Sequence, residues 1–113
     1  MPKRGEIYQV DWNPGRGHEQ KGERPALIIQ NDIGNDKSPT TIVASCTTAP
    51  DKPYPFIVSY ATNECGMATD GAVDLAQIMT IDNTRLLYKR GCLNYNKMKE
   101  VDVALKISLG IVT

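Results

Sequence analysis

The sequence predicts a mainly β fold: a small, partly open β-barrel with a C-terminal α-helix, in one domain that spans residues 1–113. Three observations predict it. Five short segments have the apolar or alternating pattern of strands, the connections between them carry turn residues instead of crossover helices, and helical periodicity is confined to the C-terminal segment. A series of strands followed by one helix is typical of small barrels.

A long polar loop separates the first two predicted strands. Gly5–Trp12 alternates in polarity, and Asn13–Glu23 then forms a connection of about eleven residues, longer than the usual hairpin loop and therefore a candidate for function. The continuous apolar run Ala26–Ile29 is typical of a strand covered on both faces. Arg24 and Pro25 stand immediately before that run, so the loop delivers a permanent cation to the start of a rigid strand.

Three further strands and the helix complete the prediction. Turn-forming residues fill Asn31–Pro39, and the strands that follow are Thr40–Thr47, Phe56–Tyr60 and Ala72–Ile81. From Asn96 onward, apolar residues recur at steps of three and four, which predicts an amphipathic helix. Either Asn94 or Asn96 is suited to cap it.

The charge balance gives little support to a general nucleic-acid binder. The 13 Lys and Arg residues equal the 13 Asp and Glu residues in number, whereas nucleic-acid-binding domains are usually basic. The exception is Asn83–Lys99, which holds five cations and no acid. This segment is either a solvated edge of the fold or a patch that follows phosphates.

Cysteine usage and the lack of long apolar runs indicate the cellular compartment of the protein. The three cysteines lack metal-ligand spacing and argue against a disulfide framework or a zinc site; Cys46, in an apolar strand, is predicted to be a small core residue. No apolar run reaches the ~18 residues of a membrane span, and Met1–Glu6 leads directly into a strand pattern without a signal-peptide region. We therefore expect a cytoplasmic protein with no membrane partner.

The sequence lacks the residues that several enzyme classes require. It has no phosphate-cradling glycine loop with lysine and no dinucleotide-binding glycine turn, no serine in a glycine-flanked elbow to work with the single histidine, His18, and only scattered acids. The chemistry that remains uses neither metal nor cofactor. RNA provides such a reaction because its 2′-hydroxyl is a built-in nucleophile, so that the protein must supply in-line geometry, proton transfer and positive charge.

A few side chains suit that reaction, and each has a structural alternative. Arg24 either grips a phosphate with its forked donors or anchors a turn by pairing with Glu19 or Glu23. Thr47, at the end of the third strand, either donates its hydroxyl to a phosphate oxygen or is present for its β propensity.

The remaining polar candidates are equally open. His18 is the usual type of acid–base residue, or it is an incidental loop residue. Glu19 orients Arg24, accepts a hydrogen bond from a base edge, or is merely solvated. Gln77, on a largely apolar strand, either contacts RNA or satisfies a backbone group in the core.

Ordered motifs along the whole chain resemble the MazF/PemK/Kid family of toxin–antitoxin ribonucleases. The motifs are Arg4–Tyr8 with Val10–Asp11, Glu19–Asp32, Ser38–Thr40, Ile42–Ala44 with Thr47, Gln77–Asp82, Arg85–Leu86 and Val101–Leu109. Each motif is weak alone, but the ordered set is highly specific.

The resemblance implies a fold, an activity and partners. The fold is an SH3-like barrel with a C-terminal helix, assembled as a homodimer. The activity is sequence-specific, metal-independent cleavage of single-stranded RNA, which leaves a 2′,3′-cyclic phosphate and a 5′-hydroxyl. The protein partner is a cognate antitoxin whose extended acidic tail occupies the RNA groove.

The resemblance also assigns residues. The family's catalytic arginine falls on Arg24, its catalytic threonine on Thr47 and its loop acid on Glu19. We predict RNA contacts from His18, Glu19, Gln20, Asn31, Thr48, Tyr54 and Gln77, and no metal ligand. Because the chain is not basic, base stacking on Tyr54 or Trp12 gains importance.

Two departures from the family pattern concern the RNA path. Ala76 precedes Gln77 where many relatives carry Glu, and the connection 49–55 is rich in proline, so the recognised bases are in question more than the chemistry. Two other functions stay open at this point. A CcdB-like toxin of the same fold binds DNA gyrase without catalysis and does not need Arg24 and Thr47 to converge. An SH3-like binding module would neither cleave RNA nor arrest growth.

Overall fold

The computed structural model of the chain describes residues 1–13, 17 and 22–111. Its strands are β1 (Glu6–Asp11), β2 (Glu23–Ile28), β3 (Thr40–Thr47), β4 (Ile57–Tyr60), β5 (Gly71–Asp82) and β6 (Leu86–Cys92). Its α-helices are α1 (Asp32–Lys37), α2 (Thr62–Cys65) and α3 (Tyr95–Leu109). The strands form one antiparallel sheet in the order β4-β5-β3-β2-β1-β6.

The sheet remains open between its two edge strands. Within the described part of the chain, β4 and β6 do not pair with each other, although β6 approaches α2, which follows β4. A Cβ atom on Gly91 of β6 would overlap the carbonyl oxygen of Cys65 in α2, so the missing side chain permits this approach. The predicted mainly β, partly open barrel with a C-terminal helix is confirmed.

Apolar side chains form two cores, one on each face of the sheet. The first core, on which α3 packs, includes Ile7, Leu27, Cys46, Tyr60, Val101 and Ala104. The second core comprises Val10, Trp12, Ala26, Ile28, Val43 and Ile81. Successive residues of β2 alternate between the two cores, so this strand is covered on both faces, as its continuous apolar run predicted.

Two elements were not predicted from the sequence. The prediction of five strands was incomplete, because β6 is a sixth strand at the edge of the sheet. Within Asn31–Pro39, predicted as turn residues, lies the short helix α1, where the Asn31 side chain accepts a hydrogen bond from the Gly34 N–H at 2.8 Å. For α3 the cap is Asn94, which accepts from the Lys97 N–H at 2.8 Å.

The five cations between Asn83 and Lys99 all have protein partners. Arg85 donates to the carbonyls of Asp11 and Asn13. The other contacts are Lys89 with Glu6 (2.9 Å), Arg90 with Gln9 (3.1 Å), Lys97 with the Ser59 carbonyl (2.8 Å) and Lys99 over the Tyr95 ring. Cationic side chains on an edge strand also discourage pairing with another sheet. These contacts favour the structural interpretation of this segment over a phosphate-following patch.

Arg4 connects three elements at one end of the sheet. Its Nε donates to the Ile29 carbonyl at 2.8 Å and its Nη2 to the Asp102 carboxylate of α3 at 2.6 Å. Its backbone N–H donates to the Asp32 carboxylate of α1 at 2.7 Å, and this bond is the main reason why the pKa of Asp32 lies below its usual value. Arg4 thereby ties the helices α1 and α3 to the end of β2.

A bulge interrupts β5 where it crosses the middle of β3. Ile78 pairs with Ala44, but the next residue of β3, Ser45, pairs with Asp74, so the three residues 75–77 are extra on the β5 side. Leu75 donates to the Phe56 carbonyl at 2.9 Å and accepts from the Ser108 hydroxyl of α3 at 2.7 Å. Bonds from two directions therefore fix the bulge.

We expect Arg4→Met to lower the free energy of unfolding by about 1–3 kcal/mol, since it removes one hydrogen bond to a backbone carbonyl and one partly buried ion pair. Arg4→Lys, which keeps the charge but cannot make both bonds, should fall between Arg4→Met and the unmodified chain. Urea denaturation measures all three. A loss below about 0.5 kcal/mol for Arg4→Met, the range of ordinary surface substitutions, would contradict this role.

Candidate active site

Arg24 and Thr47, the two predicted catalytic residues, lie at the same end of neighbouring strands. The register of β2 and β3 is Ala26 with Ser45, Leu27 with Ala44 and Ile28 with Val43. Continuing that register by two residues places Arg24 opposite Thr47. In a regular ladder, opposed Cβ atoms are about 4.5–5.5 Å apart, so the register directs Arg24 and Thr47 to neighbouring positions.

Both side chains belong to the same face of the sheet. Residues two apart in a strand share a face of the sheet. Arg24 therefore lies on the face of Ala26 and Ile28, and Thr47 lies on the face of Val43, all of which belong to the second core. Helix α3 packs on the opposite face. Arg24 and Thr47 are both exposed and therefore accessible from solvent on the face that α3 leaves uncovered.

The pairing of β2 with β3 stops just before this pair. Pro25 lies between Arg24 and Ala26 and has no N–H to donate to a ladder. Arg24 is aligned with Val10 of β1 on its other side, and its carbonyl accepts from the Trp12 indole N–H at 3.3 Å. Trp12 is 6% exposed, so this ring supports the backbone of Arg24 and is not open for base stacking.

Tyr54 and Gln77 are connected through the β5 bulge. Gln77 is an exposed residue of the bulge, at the level of Ala44 and Ser45 and thus roughly 7–10 Å from Thr47 along β3. Tyr54 is 45% exposed, and its ring stacks on Phe56 with centroids 5.6 Å apart. Because the Phe56 carbonyl accepts from Leu75 in the bulge, the aromatic pair and the bulge form one surface.

The other predicted RNA contacts divide into three cases. Thr48 is exposed and follows Thr47 directly, so it belongs to the site. Asn31 does not join it: Asn31 caps α1 beyond Ile28, and the strand between Arg24 and Ile28 alone spans about 13 Å. His18, Glu19 and Gln20 lie outside the described residues. The residues that flank their loop are joined by a hydrogen bond, since the Trp12 backbone N–H donates to the Gly22 carbonyl at 2.9 Å.

Asp74 is a site residue that the sequence analysis missed. It pairs with Ser45 of β3 and with Ile57 of β4, which places it on the face of Thr47, one diagonal position away. One of its carboxylate oxygens accepts from the Ala76 N–H of the bulge at 2.9 Å. The sequence shows an acid in a largely apolar strand, but the face of the sheet on which it lies depends on the register and on the bulge.

The ionisable groups beneath the site are neutral. Burial raises the pKa of the Cys46 thiol to about 12, so Cys46 is a core residue, as predicted, and not a nucleophile at neutral pH. Burial likewise raises the pKa of Tyr60. Among the described residues, no three His, Cys, Asp or Glu side chains cluster in a way that would hold a metal ion, and none of the helices is long and apolar enough to cross a membrane.

Comparison with known proteins agrees with this architecture. The family model of the PemK-like, MazF-like toxins of type II toxin–antitoxin systems matches residues 3–109. An Endoribonuclease MazF from Staphylococcus saprophyticus is 44% identical over 114 residues, which cover 100% of this chain and 95% of that protein.

Solved structures give the same result for the fold. A mycobacterial endoribonuclease in complex with its cognate antitoxin superposes with a TM-score of 0.83 at 23% identity, covering 100% of this chain and 99% of the other. MazF in the MazE–MazF complex from Deinococcus radiodurans superposes with a TM-score of 0.78 at 25% identity, covering 98% and 97%. The family match over nearly the whole chain and the close relative together show that the chain belongs to the PemK-like, MazF-like toxins of type II toxin–antitoxin systems.

Proposed function

We propose that the chain is an endoribonuclease toxin that cleaves single-stranded RNA, with sequence preference and without a metal ion. The observation that supports the proposal is the register of β2 with β3, which, extended from the Ala26–Ser45 pair by two residues, aligns Arg24 with Thr47 on the face of the sheet opposite α3. The relative at 44% identity is named an endoribonuclease, which supports the same activity here.

The proposed reaction is attack of the RNA 2′-oxygen on the adjacent phosphorus. The O2′–P bond forms and the P–O5′ bond breaks; a proton leaves the 2′-hydroxyl and one is added to the departing 5′-oxygen. The products are a 2′,3′-cyclic phosphate and a 5′-hydroxyl. Because the nucleophile belongs to the substrate, the protein need only align it and stabilise the charge that develops on phosphorus.

Arg24 and Thr47 suit the two tasks left to the protein, which are to align the phosphate and to stabilise its developing charge. A guanidinium offers parallel donors that match two phosphate oxygens, and it stays protonated at any working pH. The Thr47 hydroxyl, whose side chain is stiff because it branches at Cβ, would donate to the same phosphate. Since both residues stand on strands of the central sheet, these donors are fixed before the substrate arrives.

Base contacts in this proposal come from the surface beside Thr47. Tyr54 offers an exposed ring for stacking, and Gln77 offers an amide on the bulge. Stacking accepts any base, whereas an amide discriminates between base edges. Ala76 cannot make a side-chain hydrogen bond, so base preference here would rest on Gln77 and the loop residues His18, Glu19 and Gln20.

The proposal includes two protein partners. One is a cognate antitoxin, because relatives of this fold are solved in complex with theirs; its acidic tail would compete with RNA for Arg24. The other is a second copy of the chain. Apolar side chains of α3 remain exposed, among them Tyr95, Val103 and Ile107, and are available to bury in a homodimer.

Arg24→Ala should reduce cleavage of a long single-stranded RNA by about a hundredfold or more, since loss of one donor to a developing oxyanion costs roughly 10²–10³ in kcat. Thr47→Val, of nearly the same shape, should cost a similar factor. The assay contains EDTA, and end analysis should find 2′,3′-cyclic phosphates. Because both residues are exposed, the fold measured by circular dichroism should stay unchanged.

Undiminished cleavage by folded Arg24→Ala, or loss of all cleavage in EDTA, would overturn this assignment. The control variant is Arg90→Ala, which removes an arginine from the edge strand β6 and should cleave normally. A chain that cuts no RNA but inhibits DNA gyrase would instead support the CcdB-like alternative.

Tyr54→Ala should weaken binding of single-stranded RNA by roughly tenfold to a hundredfold, which corresponds to one lost base stack. Tyr54→Phe keeps the ring and should bind normally. The ligand is an RNA with a 2′-deoxy residue at the mapped cut site, so that binding is measured without cleavage. The matched control is Tyr88→Ala on β6, where the tyrosine is 56% exposed against 45% for Tyr54. Equal affinities for Tyr54→Ala and the unmodified chain would rule out stacking on this ring.

A further inference from the structure

Tyr60 of β4 lies across Gly71 of β5 and reaches the end of β3. Tyr60 and Gly71 are paired in the register of the two strands. A Cβ atom on Gly71 would come within 2.6 Å of the Tyr60 hydroxyl oxygen and 3.0 Å of the Thr47 carbonyl oxygen. The Tyr60 hydroxyl and the Thr47 carbonyl therefore border the same space, which the bare backbone at position 71 leaves open.

The same phenol also contacts the residue before Thr47. Tyr60 is 5% exposed in the first core, and its hydroxyl interacts with the Cys46 thiol. Burial raises the pKa of both groups, so neither ionises at neutral pH and the contact stays neutral. Tyr60 thus contacts Cys46 from the core side and borders the Thr47 carbonyl across Gly71, while the Thr47 side chain belongs to the opposite, exposed face.

Thr47 needs such support because the sheet holds it on one side only. Thr47 is aligned with Ala72 of β5, but the ladder to β2 ends at Ser45. Thr47 is also the last residue of its strand, and Thr48 and Ala49 after it are exposed. Without a second restraint, the end of the strand would be free to fray.

We infer that Tyr60 is a positioning residue for Thr47: its hydroxyl, held over Gly71 and beside Cys46, fixes the end of β3 so that the Thr47 hydroxyl meets the scissile phosphate. The inference rests on the proposed RNA cleavage. Tyr60 does not touch RNA in this scheme, and its effect passes through Thr47 alone. Displacement of a catalytic group by about 1 Å costs up to a hundredfold in rate, so loss of this support has a measurable effect.

The test is a double-mutant cycle between Tyr60→Phe and Thr47→Ala, with kcat and KM measured on one RNA in EDTA. Tyr60→Phe removes only the hydroxyl, and it should lower kcat roughly tenfold to a hundredfold with KM unchanged. In the Thr47→Ala background the same substitution should have no further effect, because no hydroxyl remains to position. Gly71→Ala, which pushes the ring away, should reproduce the loss of kcat.

Each outcome decides the inference. An unchanged kcat for Tyr60→Phe overturns it, and so does an equal loss in both backgrounds, which would mean a general structural role. Thermal melts identify variants that do not fold; if Gly71→Ala is one of them, the cycle with Tyr60→Phe decides alone. Failure of the unmodified chain to cut RNA would overturn the proposed function together with this inference, whereas normal cutting with an inert Tyr60→Phe overturns only the inference.

Discussion

The antiparallel register between β2 and β3 is the constraint on which the rest of the structure depends. Both strands are covered on both faces, with Leu27 and Ala44 in the first core and Ile28 and Val43 in the second. A slip by one residue would exchange the two sets of side chains, so the register is strongly specified. The positions of Arg24 and Thr47 follow from it. The buried centre of each strand therefore determines the geometry at its exposed end.

The site is open because several regular contacts end there together. Pro25 cannot extend the ladder to β3, Thr47 is the last residue of its strand, and the bulge shifts β5 by three residues. Two of these interruptions are compensated from another direction: Trp12 bonds the Arg24 carbonyl and Ser108 bonds the bulge. The other end of β2 is tied to α3 through Arg4. Backbone held in this way suits the fixed donors that the proposed reaction requires.

The sequence predicted those parts of the molecule that depend on local pattern. The run Ala26–Ile29 and the spacing of apolar residues in α3 report burial directly, and five strands and the helix followed from them. Strand β6 was not predicted, because Lys89 and Arg90 interrupt the alternation of polar and apolar residues and because its register with β1 is irregular. The bulge and the place of Asp74 depend on contacts from Phe56 and Ser108, far away in the chain. Arg24 and Thr47 were candidates from their chemistry and were assigned as catalytic by family resemblance, but their alignment depends on the register.

Gly71 shows how a residue without a side chain serves this site. Glycine in a strand costs roughly 0.5–1 kcal/mol relative to alanine. Here the space it leaves is filled by Tyr60, whose buried ring contributes more stabilisation than that cost, and an aromatic ring over a glycine is a known way to stabilise such pairs. Because the filled space borders the Thr47 carbonyl, the same packing that stabilises the β4–β5 pair also restrains the end of β3. Stability and the geometry of the candidate site thus depend on one contact.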